Sequence, residues 1–512
     1  MCVNSLTKKS FFVIFVCLVR LTELKTFFKK KILFVLALIF AFSTILFACN
    51  AISLSSGPNT TDTVLGNGGS AVVKGDYLYF ANAYIDFAEL TSVNDNKYDS
   101  DSEFTNYGIY RTKLGTDGKV ELDDDGVPQN VEIISYNIGG YSYSGLYICG
   151  DYLYYSTPYT GSTSGSASET VTGLVRFDRV KLDGTGHQEL YKTTSYSSEC
   201  DYGVVYINGT TYIVVQDGDS NLVVVNCTNT NVEDSVFATD VTSFAVYEQK
   251  NIKSGETTAT VNTYAYYVVQ DDDENYAMYR ISLSGGTAEQ MIAPTSSEIS
   301  LISVKNGRVY YTLASKLYST INGGSEVKLY SQLSINTEDT DTAGTILEYL
   351  ILDDSAGGAS LDRGVLGVFY DGTNYSFRIY NGGLTSTLLN VTVTDSTVGP
   401  TLVATQDSEF YFQLASDDED TESESLYMVE FEMTYSSNEF SLTKLGEPEV
   451  IVTAFSSEVN SVTLLDFDSE RFFVYESEDD SDISYLKMFM INETAFTDDD
   501  ENLVGQYIGV IG

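Results

Sequence analysis

The chain has 512 residues, a hydrophobic content of 43% and a formal net charge of −44, which together exclude an intrinsically disordered chain because such chains bury too little apolar surface. The acidic balance also excludes a surface built for nucleic acid or for anionic lipid headgroups. Tyr (39) and Phe (27) are abundant and Pro (6) is scarce, a composition that favours half-buried strands. The charge predicts a solvated surface, with cations or basic proteins as alternative partners.

An export signal is the first predicted element in chain order. Three lysines at residues 29–31 precede an apolar run at residues 32–48. A basic stretch, an apolar stretch and a small residue before the cleavage point are typical of secretory signals. We therefore predict a signal peptide over residues 1–48. Another apolar run, at residues 11–19, precedes the lysines, which leads to the hypothesis that translation starts downstream and that residues 1–24 are not normally made.

The segment Leu-Phe-Ala-Cys at residues 46–49 resembles the lipobox of bacterial lipoproteins. In that family the cysteine is diacylated on sulfur and becomes the mature N-terminus, so the resemblance implies that Cys49 carries the lipid. Phe47 departs from the small or aliphatic residue usual at its position. An uncleaved signal anchor is the alternative, although a run of 17 residues is near the lower limit for crossing a membrane. Two acyl chains anchor a protein stably, and the predicted location is the cell membrane, facing outside the cytoplasm.

Short aromatic strands after tight turns follow the signal. Residues 49–68 are rich in Gly, Ser and Thr and predict a flexible, lipid-anchored tether. From residue 69 onward, a two-residue turn and an aromatic strand recur, most clearly at residues 74–80 and 149–155, as expected for β-hairpins. Weaker copies lie at residues 208–214, 306–312, 371–377 and 468–474.

A second strand pattern, which ends in a Gly turn, follows many of these hairpins. Its copies lie at residues 109–114, 175–182, 278–283 and 317–321. Together the two patterns give about four strands per unit, and units begin near residues 70, 142, 200, 241, 298, 360, 398 and 458. We predict an all-β fold in which residues 69–512 form a single β-propeller of eight four-stranded blades after an N-terminal signal helix, with seven blades as the alternative. Tyr and Phe would fill the wedge between blades.

These motifs resemble those of a group of bacterial propeller proteins related to the YWTD propeller of low-density-lipoprotein receptors. The resemblance is carried by residues 70–330, through the hairpins at 74–80 and 149–155 and the strands at 109–114 and 175–182. Trp is absent from this chain, and Tyr stands in its place at residues 154–156 and 310–312. The resemblance implies the propeller fold and a binding role.

Acidic runs are the main polar feature, and they lie between predicted strands. They occupy residues 99–103, 123–126, 271–275, 417–420, 478–482 and 498–501. The run at residues 217–221 has oxygen ligands at alternate positions, like the start of a calcium loop. Leu222 at its sixth position and Thr228 at its twelfth do not fit the Gly and the bidentate acid that such a loop needs. Solvated hairpin loops are the favoured interpretation, and weak binding of divalent cations is the alternative.

Catalytic chemistry is not predicted. The single histidine, His187, follows a Gly-rich turn, where a surface residue is more common than a general base. No Gly-x-Ser-x-Gly elbow occurs, and Cys149, Cys200 and Cys227 are predicted to be small buried side chains that ligate no metal. No catalytic, metal or cofactor residues are therefore assigned, and the chain is predicted not to be an enzyme.

The predicted function is a non-catalytic, membrane-anchored binding or scaffold module for a protein, peptide or glycan, with no nucleic-acid partner. One alternative is a glycosidase or lyase that uses paired carboxylates on a propeller. The other is an acidic, cation-binding envelope protein.

Overall fold

The structure is a computed structural model, and the residues that it describes belong to one compact unit, Leu54–Gly512. They are residues 64–66, 68–69, 71–82, 108–116, 120, 132–136, 145–162, 170–193, 202–207, 209–227, 233–251, 260–305, 308–321, 326–329, 334–336, 342–352, 364–381, 384–391, 399–406, 408–415, 423–436, 439–456, 462–467, 470–478, 484–490 and 506–510. The predicted signal peptide, Cys49 and most of the predicted tether lie outside them, as does Cys200. Within these segments there is no helix with the length and hydropathy needed to cross a membrane.

All regular structure in the described segments is β-strand, and the strands form eight antiparallel sheets. A short strand, β1 (Val64–Leu65), comes first. Sheet 1 contains β2 (Ala71–Lys74), β3 (Tyr77–Asn82), β4 (Gly108–Lys113) and β5 (Glu132–Tyr136). Sheet 2 contains β6 (Tyr147–Cys149), β7 (Tyr152–Ser162), β8 (Thr170–Lys181) and β9 (Gln188–Lys192). Sheet 3 contains β10 (Tyr202–Ile207), β11 (Thr210–Gln216), β12 (Leu222–Asn226) and β13 (Glu233–Ala238). Sheet 4 contains β14 (Val241–Asn251), β15 (Thr260–Gln270), β16 (Tyr276–Ser282) and β17 (Glu289–Thr295).

Sheets 5, 6 and 8 repeat the same four-stranded order, in which each strand pairs with the next one along the chain, and sheet 7 has a fifth strand. Sheet 5 contains β18 (Ile299–Lys305), β19 (Arg308–Leu313), β20 (Lys316–Ile321) and β21 (Glu326–Leu329). Sheet 6 contains β22 (Thr345–Ile351), β23 (Val365–Tyr370), β24 (Tyr375–Asn381) and β25 (Leu384–Val391). Sheet 7 contains β26 (Thr401–Gln406), β27 (Glu409–Ala415), β28 (Ser423–Ser436), β29 (Glu439–Lys444) and β30 (Glu449–Ser456), and β28 pairs with both β29 and β30. Sheet 8 contains β31 (Val462–Phe467), β32 (Glu470–Glu478), β33 (Ser484–Met490) and β34 (Gln506–Val510).

Burial explains why the middle strands lack the usual alternation of apolar and polar residues. Leu222, Val223, Val224 and Val225 of β12 are all buried, because both faces of the sheet are covered by neighbouring sheets. A strand covered on both faces carries a continuous apolar run. The fourth strands lie at the outer edge and are more exposed, as in β17, where Met291 is the one buried residue. The position of a strand within its sheet therefore determines its sequence pattern.

The cores lie between consecutive sheets and contain the aromatic side chains. Phe377 of sheet 6 lies 5.0 Å, between ring centroids, from Phe410 of sheet 7. Phe177 of sheet 2 lies 5.0 Å from Tyr202 of sheet 3, in an edge-to-face arrangement. Such pairs add about 0.5–1.5 kcal/mol beyond the burial of their area. The prediction that Tyr and Phe fill the space between sheets is confirmed.

The first strands of consecutive sheets also lie against one another. Contacts join β2 with β6, β6 with β10, β10 with β14, β14 with β18, β22 with β26, and β26 with β31. Sheets 5 and 6 share a core that includes Tyr310, Ile346 and Val365. At the two ends of the series, β2 of sheet 1 contacts β31 of sheet 8, and β3 contacts β34.

The all-β prediction is confirmed, and the repeated four-stranded unit is the kind from which propellers are built. One unit boundary was predicted wrongly. The sixth sheet begins at Thr345, not near residue 360, and the turn at Asp371 joins its second and third strands instead of its first and second. An Asp-Gly turn can join the first and second strands of a unit or the second and third. The turn sequence alone therefore does not show which two strands of the unit it connects.

β1 lies beside the first strand of sheet 2. Val64 pairs with Cys149 and Leu65 with Ile148, antiparallel. Gly66 follows with a φ of +92°, and a Cβ at this position would lie 2.6 Å from the carbonyl oxygen of Leu146. The end of the predicted tether is therefore part of the folded domain.

Candidate functional site

Sheet 2 carries buried charges on both of its faces. Tyr155 pairs with Asp178 and Tyr154 with Arg179, and neighbouring residues of a strand point to opposite faces. Tyr155 belongs to the core shared with sheet 1, whereas Tyr154 belongs to the core shared with sheet 3. β8 therefore places a carboxylate between sheets 1 and 2 and a guanidinium between sheets 2 and 3.

Asp178 is the centre of a small charged group that we call the His187 cluster: Arg176, Asp178 and His187. The Asp178 side chain is fully buried. Arg176 donates from Nε to Oδ1 over 2.9 Å and from Nη2 to Oδ2 over 2.7 Å. His187 Nε2 lies 2.9 Å from Oδ2 of Asp178, and 48% of the His187 side chain is exposed. Pairing of this kind offsets the cost of burying a carboxyl group.

The turn before His187 determines where the imidazole lies. Gly184 and Gly186 have φ values of 74° and 66°, which only glycine adopts without strain. Asp183 Oδ1 accepts the backbone N–H of Thr185 over 3.0 Å and its hydroxyl over 2.6 Å. The chain therefore reverses tightly after β8 and brings His187 back beside Asp178.

Arg179 links sheet 2 to sheet 3. Its guanidinium is buried, donates to the carbonyl oxygen of Cys227, and lies 4.4 Å from the centroid of the Tyr152 ring. Nε and Nη2 of Arg179 also donate to Oε1 of Gln188, over 3.1 and 2.8 Å. Charge-assisted bonds and stacking on an aromatic face both favour Arg over Lys at this position.

The same arrangement joins sheet 1 to sheet 2. Arg111 is fully buried, lies 4.4 Å from the centroid of the Tyr77 ring and donates from Nη1 to the carbonyl oxygen of Leu182 over 3.0 Å. Leu182 and Cys227 each follow the third strand of their sheet directly. Arg111 and Arg179 therefore occupy equivalent positions, and each binds the equivalent carbonyl group of the next sheet.

Burial favours the neutral forms of Cys227 and Tyr154, which lie next to Arg179. Burial raises the pKa of the Cys227 thiol to about 12, although the Arg179 charge opposes the rise. Burial also raises the pKa of Tyr154 to about 12, against hydrogen bonds from Arg179 and Thr211. Cys149 and Cys227 are buried free thiols. Their predicted burial is confirmed, and the raised pKa of Cys227 disfavours its reactive thiolate form.

The acidic turns use their carboxylates to hold their own backbone. Asp217 Oδ1 accepts the N–H groups of Asp219 and Asn221 over 3.0 and 2.9 Å. Asp271 Oδ1 accepts those of Asp273 and Asn275 over 3.0 and 2.8 Å. These bonds favour the ionised carboxylate, and the pKa of Asp271 is accordingly lowered, chiefly by the backbone N–H of Asn275. The interpretation of these runs as hairpin loops fits this geometry.

The structure reveals functional candidates that sequence reasoning missed. His187 was predicted to be an ordinary surface residue, yet its ring is oriented by a buried carboxylate. The signal was present in the segment Arg-Phe-Asp-Arg at residues 176–179, because alternation along a strand places Arg176 and Asp178 on one face. Cys49, the one site residue that the sequence assigned, lies outside the described residues. In the part of the chain that the structure describes, no group of three His, Cys, Asp or Glu side chains could hold a metal ion.

No protein-family model and no curated protein matches this chain. Among solved structures, a post-proline cleaving enzyme from Rickettsia typhi matches with a TM-score of 0.39 at 11% identity, covering 81% of this chain and 58% of the enzyme. The polysaccharide lyase Uly1 matches with a TM-score of 0.30 at 10% identity, covering 68% of this chain and 89% of the lyase. TolB from Acinetobacter baumannii matches with a TM-score of 0.23 at 10% identity, covering 54% and 77%.

The chain spans little more than half the length of the post-proline cleaving enzyme. Enzymes are among the solved structures that match this chain, which contradicts the prediction that it is not an enzyme, and that prediction is withdrawn. That prediction took the lack of a local motif as a lack of catalysis, whereas catalytic groups are recognised by geometry and not by their sequence positions. At these TM-scores the neighbours assign no activity to this chain.

Proposed function

We propose that this protein is a lipid-anchored β-propeller of eight blades, displayed on the outer side of the cytoplasmic membrane, that binds a protein, peptide or glycan. One observation carries the proposal: three lysines and an apolar run that ends directly before Cys49 are followed, within the same chain, by a series of repeated sheets. A repeated fold of this kind presents many loops on a rigid body, and such loops commonly carry binding residues.

Three features support the eight-bladed ring. The sheets are eight in number within the described segments, and the first strands of consecutive sheets lie against one another except in sheets 5 and 6, which share a core. The first sheet contacts the last, through β2 with β31 and β3 with β34. Closure of this kind leaves only short outer strands as edges, which limits edge-to-edge aggregation.

Lipid anchoring is tested with the variant Cys49→Ser. We expect the wild-type chain to partition into the detergent phase of Triton X-114 and to gain mass equal to the acyl chains. Cys49→Ser should stay in the aqueous phase and carry no lipid. Cys17→Ser, which lies before the predicted cleavage point, is the matched control and should behave as the wild type. Detergent partition of Cys49→Ser equal to that of the wild type would contradict the lipoprotein assignment.

Ligand binding is tested with the detergent-solubilised full chain on glycan and peptide arrays. Binding should concentrate on one chemical class and should be reproduced in solution by calorimetry. If no glycan and no peptide binds at micromolar protein, the proposed binding role is contradicted. The result on lipid anchoring does not depend on this outcome.

A second candidate function, acid–base catalysis, is favoured by the His187 cluster. In the tautomer that donates from Nε2 to Oδ2 of Asp178, Nδ1 of His187 is the basic nitrogen. An oriented, half-exposed imidazole is the commonest general base in proteins.

This candidate is tested on a panel of chromogenic esters, glycosides and aminoacyl anilides. If the wild-type chain turns over any of them, His187→Asn should lower kcat by about 100-fold or more. Glu189→Gln, which changes an exposed neighbouring side chain, is the control and should retain the activity. Catalysis by His187 is contradicted if His187→Asn turns over a substrate as fast as the wild type. It is also contradicted if the wild type turns over no substrate of the panel.

A further inference from the structure

β1 is a strand from outside the four-stranded unit to which it pairs. It lies on the side of β6 opposite β7, so that sheet 2 runs in the order β1, β6, β7, β8 and β9. Val64 pairs with Cys149 and Leu65 with Ile148. We call this free side of β6, over residues 146–149, the β6 edge. The β6 edge therefore binds an extended backbone segment that comes from elsewhere in the chain.

The two side chains of β1 enter different cores. Val64 packs against the core between sheets 2 and 3, and Leu65 packs against the core between sheets 1 and 2, because neighbouring residues of a strand point to opposite faces. The β6 edge thus offers one apolar pocket on each face of sheet 2. Peptides that add a strand to a sheet are recognised in this way, since main-chain bonds hold the backbone and pockets for alternate side chains give specificity.

The residues after β1 are recognised as well. Gly66 and Gly68 have φ values of +92° and +87°, which favour glycine. A Cβ added at Gly68 would lie 2.9 Å from the hydroxyl oxygen of Tyr147. The carbonyl oxygen of Gly69 then accepts the backbone N–H of Leu146 over 2.9 Å. The occupant of the β6 edge is therefore recognised as two apolar residues followed by Gly-x-Gly.

Another first strand binds an extended segment on its free side. Residues 334–336 lie beside β22, where Ile346 donates its N–H to the carbonyl oxygen of Ser334 over 3.1 Å and accepts the N–H of Asn336 over 2.7 Å. Ile335 lies in the core shared by sheets 5 and 6. This pairing is parallel, whereas that of β1 is antiparallel. Addition of an extended segment, with an apolar side chain between two sheets, thus occurs at two separate places in this fold.

β1 has the properties of an exchangeable occupant. In the described part of the chain it forms two residue pairs with β6, and both of its side chains are half-buried. We propose that the β6 edge is a peptide-binding site, that β1 occupies it in competition with the ligand, and that the ligand is an extended peptide with two apolar residues followed by Gly-x-Gly. This proposal deepens the proposed binding function and rests on it.

The experiment measures binding of a fluorescein-labelled peptide with the sequence of residues 60–69 to the detergent-solubilised full chain, by fluorescence anisotropy. Leu65→Asp frees the β6 edge, because a carboxylate is costly to bury in an apolar core, and it leaves β6 itself unchanged. Val236→Asp is the matched control, since it makes the same kind of change at a side chain of β13 that is 59% exposed. A second peptide, in which Asp replaces the leucine, tests the apolar pocket.

Leu65→Asp should bind the first peptide at least about 10-fold more tightly than the wild type and Val236→Asp do, because β1 competes in those two chains at an effective concentration on the order of millimolar. The second peptide should bind to none of the chains. Gly66→Ala also weakens the docking of β1 and should show the same gain, which keeps the test decisive if Leu65→Asp is unstable. Equal affinity of all four chains for the first peptide, or no binding by any of them, overturns the proposal.

The glycan and peptide arrays separate this proposal from the binding function. A ligand that the wild type and Leu65→Asp capture equally supports the binding function but lies away from the β6 edge, so the present proposal alone fails. A second copy of the chain is the other occupant that the edge could take. If the wild type forms a dimer by light scattering and Leu65→Asp does not, the occupant is β1 of the second copy, and the separate peptide ligand is overturned.

Discussion

At the scale of single residues, the main finding is that buried charges connect neighbouring sheets. Arg111 and Arg179 each lie on the third strand of a sheet and donate to a carbonyl oxygen of the next one. Because these guanidinium groups also stack on tyrosine rings, they contribute both hydrogen bonds and packing. The sheets are therefore held together by directed contacts in addition to apolar burial.

The contribution of Arg179 can be measured by replacing it with alanine. Arg179→Ala should lower the free energy of unfolding by about 3 kcal/mol, because the carbonyl oxygen of Cys227 and the amide of Gln188 lose a buried donor. Urea denaturation followed by tyrosine fluorescence gives the value. Lys192→Ala, which breaks an exposed pair with Glu189, is the control and should change the free energy by less than about 1 kcal/mol. Equal effects of the two variants would contradict a linking role for Arg179.

The acidic turns predict a specific pH dependence. Hydrogen bonds from Asn275 and Asp273 hold the pKa of Asp271 below its usual range, so the ionised carboxylate stabilises the turn above the unfolded value of about 3.9. This stabilisation is lost as the pH falls from there through the lower folded value. The difference in unfolding free energy between wild type and Asp271→Asn should therefore be constant near neutral pH and should vanish in acid.

Asp272→Asn is the control for Asp271→Asn. It removes one charge from the adjacent exposed residue, so it reproduces the change in net charge without the change in turn geometry. If both variants show the same dependence on pH in urea titrations, the hydrogen bonds of Asp271 make no contribution.

At the scale of elements, the sequence predicted the strands well and the unit boundaries less well. First strands begin at Ala71, Tyr202, Val241 and Ile299, close to the predicted unit starts, because aromatic hairpins with Gly turns have a clear pattern. The turn between β19 and β20 was not predicted, since Ala314 and Ser315 adopt φ values of 50° and 59° without Gly or Asn. Buried polar contacts such as that of Arg179 with the carbonyl oxygen of Cys227 depend on which sheet lies opposite, and no local pattern contains that information.

The docking of β1 depends on Gly66. Gly66→Ala should weaken this docking, because the new Cβ would meet the backbone carbonyl of Leu146 at 2.6 Å. We expect faster limited proteolysis near residues 64–70 and a lower melting temperature. Gly285→Ala is the matched control: its φ of +101° is as unfavourable for alanine, but no atom lies within 4 Å of the added Cβ. Gly285→Ala should show only the backbone effect of about 1 kcal/mol. Identical proteolysis of the two variants would mean that β1 does not depend on close approach at Gly66.

At the scale of the whole molecule, a net charge of −44 opposes the compact state. Screening by salt should therefore raise the melting temperature, by on the order of 1–2 °C between low salt and physiological ionic strength. Differential scanning fluorimetry in NaCl measures the shift. MgCl2 at equal ionic strength is the control, since a larger rise in MgCl2 would indicate bound divalent cations instead of screening. A melting temperature that falls with NaCl would contradict the expectation.

The shortness of β1 has a mechanical consequence. Tension applied through the N-terminal chain reaches the two residue pairs between β1 and β6 before it reaches the longer hairpin of β2 with β3. Such a short pairing ruptures at low force, and its release lengthens the linker by the seven residues 64–70, about 24 Å when extended. The N-terminal linker can therefore lengthen by this amount under tension before any sheet begins to unfold.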